Sequence, residues 1–473
     1  MKTPEIAIIG HPNEGKSSVL STLAEDDSVR ISSTPGETTE CRTFPVIIDG
    51  KELLRFTDTP GFQYPQQILE ALKTFSGNSE ERLSQLREFT RSSPEFADDH
   101  ELLRPVVRGA GIIYVVDGSR PVRSVDRAEM EILRLIGRPR MAVINCKDDN
   151  FEYLDDWKDE FRKRFNANRL FNAHRATYVE RIELLESLKA IDQDWQSILS
   201  EIIESFKADW ESRTRTCAEI ICSLLKRCLT LQLTENISTG EDAGRKESVL
   251  VKKYSKRVMD MEAQAHQQIR ALFKHNIFDY KLSKHSVLRE DLFNEKTWQL
   301  LGLTRKQFMI LGGLGGAAIG AGIDIAALGH GLGLFTALGG IAGTVGAIAG
   351  RNQIATDASF MGVKVAGPQI LVGPAENISL LFVLLNRALL YYQQSINWAH
   401  GRRDYQESLT DAQNSDKAGF TRDWPAGNLK ICHRFFKALR QGNGNNSYEQ
   451  EKEMQSVLFT TLMKISNDQG SLP

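Results

Sequence analysis

The sequence contains no Cys-x-x-Cys pair; its six cysteines (Cys41, Cys146, Cys217, Cys222, Cys228 and Cys432) are scattered, three of them within one amphipathic stretch. That removes the usual signature of zinc or dithiol chemistry and leaves the thiols as reduced core side chains of a cytosolic protein. Charge of one sign is also missing. With 59 basic and 61 acidic residues the formal net charge is -2, and the two signs are interleaved with no extended basic tract. Nucleic acid is therefore not indicated by charge. The opening MKTPEIAIIG lacks the apolar core and cleavage site of a secretory leader, so synthesis in the cytosol is expected.

What is present is length and pattern. A chain of 473 residues exceeds what one core holds, and two or more domains are expected. Glu5 to Gly10 is an apolar run ending in a glycine turn, and Ser17 to Ala24 continues as a helix. RTFPVIID and KELLRFTD follow, two strand-like runs joined at Asp49-Gly50, a dipeptide suited to a tight hairpin. Gly111 to Asp117 and Met141 to Asn145 read as buried strands separated by a helical stretch, Asp126 to Ile136. This alternation predicts an α/β fold with a mainly parallel sheet and one antiparallel hairpin. From about Thr177 to His275 strand signals vanish and helical spacing takes over. VKVAGPQILVGP then reads as a short β element, followed by a helix from about Ile378 to Arg402 and a helical tail.

Gly10-His11-Pro12-Asn13-Glu14-Gly15-Lys16-Ser17 has the spacing Gly-x4-Gly-Lys-Ser/Thr, directly after a strand and directly before a helix. In that setting backbone N–H groups and the helix N-terminus face phosphates, Lys16 reaches the terminal phosphates and Ser17 ligates Mg2+. The expected phosphate set is Gly10, Asn13, Glu14, Gly15, Lys16, Ser17 and Ser18, joined by Gly61. Gly61 closes Asp58-Thr59-Pro60-Gly61, where the Asp58 carboxylate holds Mg2+ through water and the glycine N–H senses a γ-phosphate. Between these motifs Thr34-Pro35-Gly36-Glu37-Thr38-Thr39 offers hydroxyls to the metal, through Thr38 or through Thr39. Phe62 follows Gly61, so no glutamine stands where many small GTPases orient the attacking water. Slow intrinsic hydrolysis is expected, and no catalytic base is assigned. Asn145 and Asp148 have the spacing of a guanine-reading Asn-Lys-x-Asp motif with Cys146 in the lysine position, so guanine is expected and ATP stays open.

In spacing and order these motifs resemble the Era and TrmE branch of translation-factor-related GTPases, over roughly the first 175 residues. The resemblance implies phosphate and Mg2+ binding by Gly10, Gly15, Lys16 and Ser17, a first switch at Thr38 or Thr39, and a second at Asp58 and Gly61. It also implies that Asn13 helps hold a K+ ion in place of an arginine finger. Glu40 departs from the family pattern, standing where an arginine follows the two threonines. A later Asn172-Ala173-His174 sits where the family has its last base loop.

Gln307 to Gly350 differs from the rest, with fourteen of the 36 glycines and only Asp324 and His330 ionisable. Its halves, 22 residues from Gln307 to Leu328 and 19 from Leu332 to Gly350, approach the length of a bilayer span, with Arg305, Lys306 and Arg351 flanking them on one side. Gly312, Gly316 and Gly320 recur at a spacing that lets helices approach in lipid, although Asp324 is costly there. The expectations are a membrane-associating hairpin or a packed hairpin within a soluble domain. GHPNEGKSS, HRATYVERIELLESL, the glycine-rich middle and GPAENISLLFVLLNRALLYYQQSINWAHGRRD together resemble bacterial GTPases that carry a C-terminal domain of unknown function.

The expected organisation is a nucleotide domain over 1–175 with a helical insertion at 62–108, a helical region over 176–300, the glycine-rich hairpin over 301–352 and a mainly helical region over 353–473. Its expected partners are GTP or GDP, the inner face of the cytoplasmic membrane through 307–350, and a homo-oligomer or membrane protein. Three functions fit: a GTP switch driving a membrane-associating region, a soluble assembly factor for ribosome or tRNA, and a nucleotide-controlled membrane assembly or pore.

Overall fold

A computed structural model describes residues 3–11, 14–24, 40–48, 51–146, 151–171, 178–238, 241–273, 369–375, 377–396, 419–422, 424–441 and 444–467. Their contacts divide into two compact units, the first holding the described residues up to Ser212 together with Ile396, Ser466 and Asn467, and the second the described residues of 213–395 and 406–465.

The first unit begins with β1 (Glu5–Ile9), α1 (Lys16–Ala24), β2 (Arg42–Ile48) and β3 (Lys51–Asp58). Three helices follow, α2 (Pro65–Thr74), α3 (Ser79–Arg91) and α4 (Ala97–Val107), and then β4 (Gly111–Asp117), α5 (Ser124–Ile136) and β5 (Arg140–Asn145). After α6 (Leu154–Arg164) and β6 (Ala167–Leu170), α7 (Tyr178–Ile191) leads into α8 (Gln196–Thr230). The sheet has the order β2-β3-β1-β4-β5-β6. Every pairing is parallel except β2 with β3. The central strands β1, β4 and β5 are apolar on both faces because helices cover both sides, as a parallel sheet requires. Pro45 is tolerated in β2 because that strand is the sheet edge.

One core face packs Val19, Leu20 and Leu23 of α1 with Leu184, Leu185 and Leu188 of α7 and Leu199 and Ile202 of α8. The opposite face takes Ile68 and Leu72 of α2, Leu83 and Leu86 of α3, Leu102 and Leu103 of α4, Ile132 and Leu133 of α5, and Trp157 and Phe161 of α6. The residues between Gly61 and β4 therefore form three helices seated on the sheet. Local chemistry sets their ends: Asn78 Oδ1 accepts the Glu81 N–H while Glu81 Oε2 accepts the Asn78 N–H, a reciprocal cap at the start of α3.

The second unit contains the remainder of α8, β7 (Leu233–Asn236), α9 (Ala243–Leu272), β8 (Gln369–Val372), α10 (Ser379–Ile396), α11 (Ala426–Gln441) and most of α12 (Gly444–Asn467). β7 lies inside the stretch read as free of strands. It is four residues long, Leu-Thr-Glu-Asn, too short for a period-2 pattern, and is made by antiparallel pairing with β8, 133 to 139 residues later. α10 is buried on all sides from Ser379 to Tyr392, consistent with its near-continuous apolar sequence. Two of its polar members are paired: Asn386 Nδ2 donates to Thr421 Oγ1 at 2.8 Å, and Arg387 makes a two-pronged contact with Glu262. No described helix is long and apolar enough to cross a membrane. The expected hairpin over 307–350 lies outside the described residues.

Candidate functional site

The site is built where β1, β3, β4 and β5 end on the same edge of the sheet. β1 stops at Gly10, whose φ is +156°, and a Cβ there would come within 2.2 Å of the Val115 carbonyl oxygen. Only glycine lets the loop cross β4 this closely. Gly15, at φ +94°, then turns the chain into α1. The Lys16 ammonium folds back over the loop, donating to the Gly10 carbonyl at 3.1 Å and the His11 carbonyl at 3.2 Å. Burial lowers its pKa, opposed by the carboxylates of Asp58, Glu129 and Glu14.

Ser17 Oγ donates to Asp58 Oδ2 at 3.1 Å, joining the start of α1 to the end of β3. Burial raises the Asp58 pKa; Lys16, the Ser17 hydroxyl, Arg42 and the Thr59 N–H act against it. Asp58 Oδ1 is buried without a hydrogen-bond partner. A hydroxyl, a carboxylate and one unpaired buried carboxylate oxygen suit a hard divalent cation such as Mg2+, which takes few protein oxygens and completes its shell with water and phosphate. Thr59 Oγ1 donates to the Ile8 carbonyl at 2.8 Å, which ties the Asp-Thr-Pro-Gly turn to β1. Phe62 is buried in the core, and Gln63 presents its N–H to Asp99.

At the end of β5, Asn145 is fully buried and its Nδ2 donates to the main-chain carbonyl of Glu14 at 3.1 Å. Cys146 is buried too: a Cβ on Gly118 would lie 2.7 Å from its Sγ, so the thiol packs inward beneath the loop after β4. Asn13, Thr38, Thr39, Asp148 and Asn172–His174 lie outside the described residues. Gly10, Glu14, Gly15, Lys16, Ser17, Ser18, Asp58, Gly61 and Asn145 are all within them, and Lys16, Ser17, Asp58 and Asn145 converge through the contacts above.

Beneath the loop is a charged layer that no sequence pattern reveals. The Glu14 side chain reaches the end of β4 and the segment after it; Oε2 accepts the Asp117 N–H and Oε1 accepts Arg120 Nε at 2.9 Å. Arg120 also donates to Asp126 at 2.7 Å and 2.9 Å, and its guanidinium lies 5.1 Å from the Trp157 ring centroid. Glu129 sits deeper, with Oε2 accepting the Tyr114 hydroxyl at 2.8 Å and Oε1 lying 3.3 Å from His11 Nδ1. Burial raises the Glu129 pKa, with His11 and Tyr114 opposing. Arg120 and Glu129 were reachable only through three-dimensional contact, since their partners on the loop lie 106 and 118 residues away.

The family described as Domain of unknown function (DUF3482) matches residues 159–464, and that described as 50S ribosome-binding GTPase matches residues 5–146. Among curated proteins the chain is 30% identical over 148 residues to a probable GTP-binding protein EngB of Koribacter versatilis, covering 31% of this chain and 63% of that protein. It is 38% identical over 73 residues to the GTPase Der of Agathobacter rectalis, covering 15% and 16%. The chain thus spans less than two thirds of the length of either. A crystal structure of Aquifex aeolicus Era bound to GDP.AlF4- aligns with 58% of this chain and 90% of its own at 16% identity and a TM-score of 0.29, which adds nothing to the topology above.

Proposed function

We propose that the chain, which belongs to the family described as Domain of unknown function (DUF3482), is a GTP-binding switch that hydrolyses GTP to GDP and phosphate, with the loop after β1 taking the phosphates and the Asp58 carboxylate beside Ser17 taking the metal. The observation that carries this is the Ser17 Oγ to Asp58 Oδ2 contact at 3.1 Å, which places a hydroxyl and a carboxylate beside the Lys16 ammonium. Gly10, Asn13, Glu14, Gly15, Lys16, Ser17, Ser18 and Gly61 hold the phosphates; Ser17, Asp58 and Thr38 or Thr39 hold Mg2+; Asn145 and Asp148 select guanine. Bound Mg2+ would neutralise charge on the phosphates. Hydrolysis is slow because Phe62 occupies the place of a water-orienting side chain, and Asn13 makes K+ a stimulating ion. The nucleotide state governs the helical region that follows.

Titration of the full chain with fluorescent GTP, GDP and ATP in Mg2+, and phosphate release in K+ against Na+, tests this. Guanine nucleotides bind, Lys16→Ala abolishes binding, and K+ accelerates release. ATP binding equal to GTP would remove the guanine assignment, and no nucleotide binding at all would remove the function.

A second reading, nucleotide-controlled membrane association, is favoured by the fourteen glycines and two ionisable side chains of Gln307 to Gly350. A third, action on the ribosome, is supported by the description of the family matching residues 5–146. Liposome flotation without nucleotide, with GDP and with a non-hydrolysable GTP analogue separates them. Flotation that changes with nucleotide and is lost in Lys16→Ala supports the membrane; its absence in every state leaves the ribosome.

A further inference from the structure

The nucleotide function gives no task to the helices between Gly61 and β4, yet α4 touches the exits of both switch segments. Asp99 Oδ1 accepts the N–H of Gln63 at 3.0 Å, two residues beyond Gly61. Two residues on in the same helix, Glu101 Oε1 accepts the N–H of Cys41 at 2.9 Å, two residues beyond Thr39, and the Glu101 carbonyl accepts the Cys41 thiol at 3.2 Å. Arg104 Nη2 lies 2.6 Å from Glu101 Oε1 and holds that carboxylate in place. The helix is itself fixed. Leu102, Leu103 and Val106 are buried in the core, and Tyr64 stands edge-on to Phe96, just ahead of α4, at 5.7 Å.

Resting on the GTPase function above, we propose that α4 is a common tether for the two segments that meet the γ-phosphate and Mg2+, with Asp99 and Glu101 as positioning residues. Both contacts are N–H donations to carboxylates, the stronger kind of hydrogen bond. Each fixes the chain two residues beyond a position that the proposed function gives to the triphosphate and Mg2+, so each lowers the cost of forming that contact when triphosphate binds. GDP makes no γ-phosphate contact and gains nothing from the tether. A ligand shifts a conformational equilibrium only by its differential affinity for the two states, and here the difference is the γ-phosphate. Because one rigid helix carries both carboxylates, freeing one segment weakens the advantage of holding the other.

The test uses the full chain as wild type, Glu101→Gln, Asp99→Asn and the double variant. GDP and a non-hydrolysable GTP analogue are titrated in Mg2+, with the thermal midpoint of each variant recorded. Each single variant keeps GDP affinity within about twofold while analogue affinity falls roughly tenfold, and the double variant loses less than the product of the two. A merely structural role lowers both affinities together or moves only the midpoint, and either overturns the tether, as does full multiplicativity. Glu101 is half-buried, so its variant keeps the test decisive if Asp99→Asn does not fold. Wild-type protein that binds neither nucleotide overturns the GTPase function and the tether with it; binding of both with an unmoved ratio overturns the tether alone.

Discussion

Asn145 Nδ2 donates to the main-chain carbonyl of Glu14 at 3.1 Å, across 131 residues of sequence. The residue expected to read the base is thereby also a strut of the phosphate loop. On the proposed function, one buried hydrogen bond would join the base-reading and phosphate-holding halves of the nucleotide site mechanically.

Asn145→Ala leaves the Glu14 carbonyl without that donor. Removing a buried partner costs about 1–3 kcal/mol, and we expect GDP and the GTP analogue to weaken together by roughly tenfold or more. Equal loss of both nucleotides distinguishes this strut from the α4 tether. Unchanged affinity for both would show that the contact does not support the loop.

Much of this edge of the sheet is legible locally. Glu5 to Ser17 combines an apolar run, glycines and a Lys-Ser pair in one continuous stretch, and Asp49-Gly50 marks the hairpin between β2 and β3. These features are short in sequence, so pattern suffices. Arg120, Glu129, Asp99 and Glu101 have no such mark. Each looks like an ordinary charged residue on a helix or loop until the fold brings Glu14, His11, Gln63 and Cys41 against it. β7 escaped for the same reason, because its identity as a strand comes from β8 rather than from Leu233–Asn236.

Burial pushes the Asp99 carboxyl up from 3.8 to about 6; Asp98 and Glu129 add to the rise, and the N–H groups of Gln63 and Tyr64 oppose it. Because the folded value exceeds the unfolded one, this group's contribution is fully present below the unfolded value and is lost as pH rises towards the folded value. The cost above pH 6 is at most about 3 kcal/mol. Asp99→Asn cannot ionise, so its stability relative to wild type should rise between about pH 4 and 6 and stay level above. Urea denaturation of both proteins across that range measures the difference. A flat difference would mean that Asp99 titrates as an ordinary carboxyl.

Glu129 is wholly buried beneath the loop, and its raised pKa favours the protonated form. Glu129→Gln keeps an acceptor for Tyr114 without a charge and should be neutral or stabilising at pH 7. Glu129→Ala strands the buried Tyr114 hydroxyl and should cost about 1–3 kcal/mol. Denaturant midpoints of the three proteins check the order. Alanine as stable as glutamine would show that the Tyr114 contact at 2.8 Å carries no net stability.

In the second unit, Arg387 Nε meets Glu262 Oε1 at 2.7 Å and Nη2 meets Oε2 at 2.9 Å, with both residues buried. Desolvating both charges offsets much of their attraction, so the intact pair need not contribute net stability. Breaking it is different. Arg387→Met leaves the Glu262 carboxylate without its guanidinium in an apolar interior and should cost about 3–5 kcal/mol. Adding Glu262→Leu removes the stranded charge, and the double variant should recover most of that loss. A double-mutant cycle by chemical denaturation reads the coupling directly. Additive single effects would mean that the pair does not couple α10 to α9, whereas strong coupling makes the pair the device that fixes how α10 registers against α9.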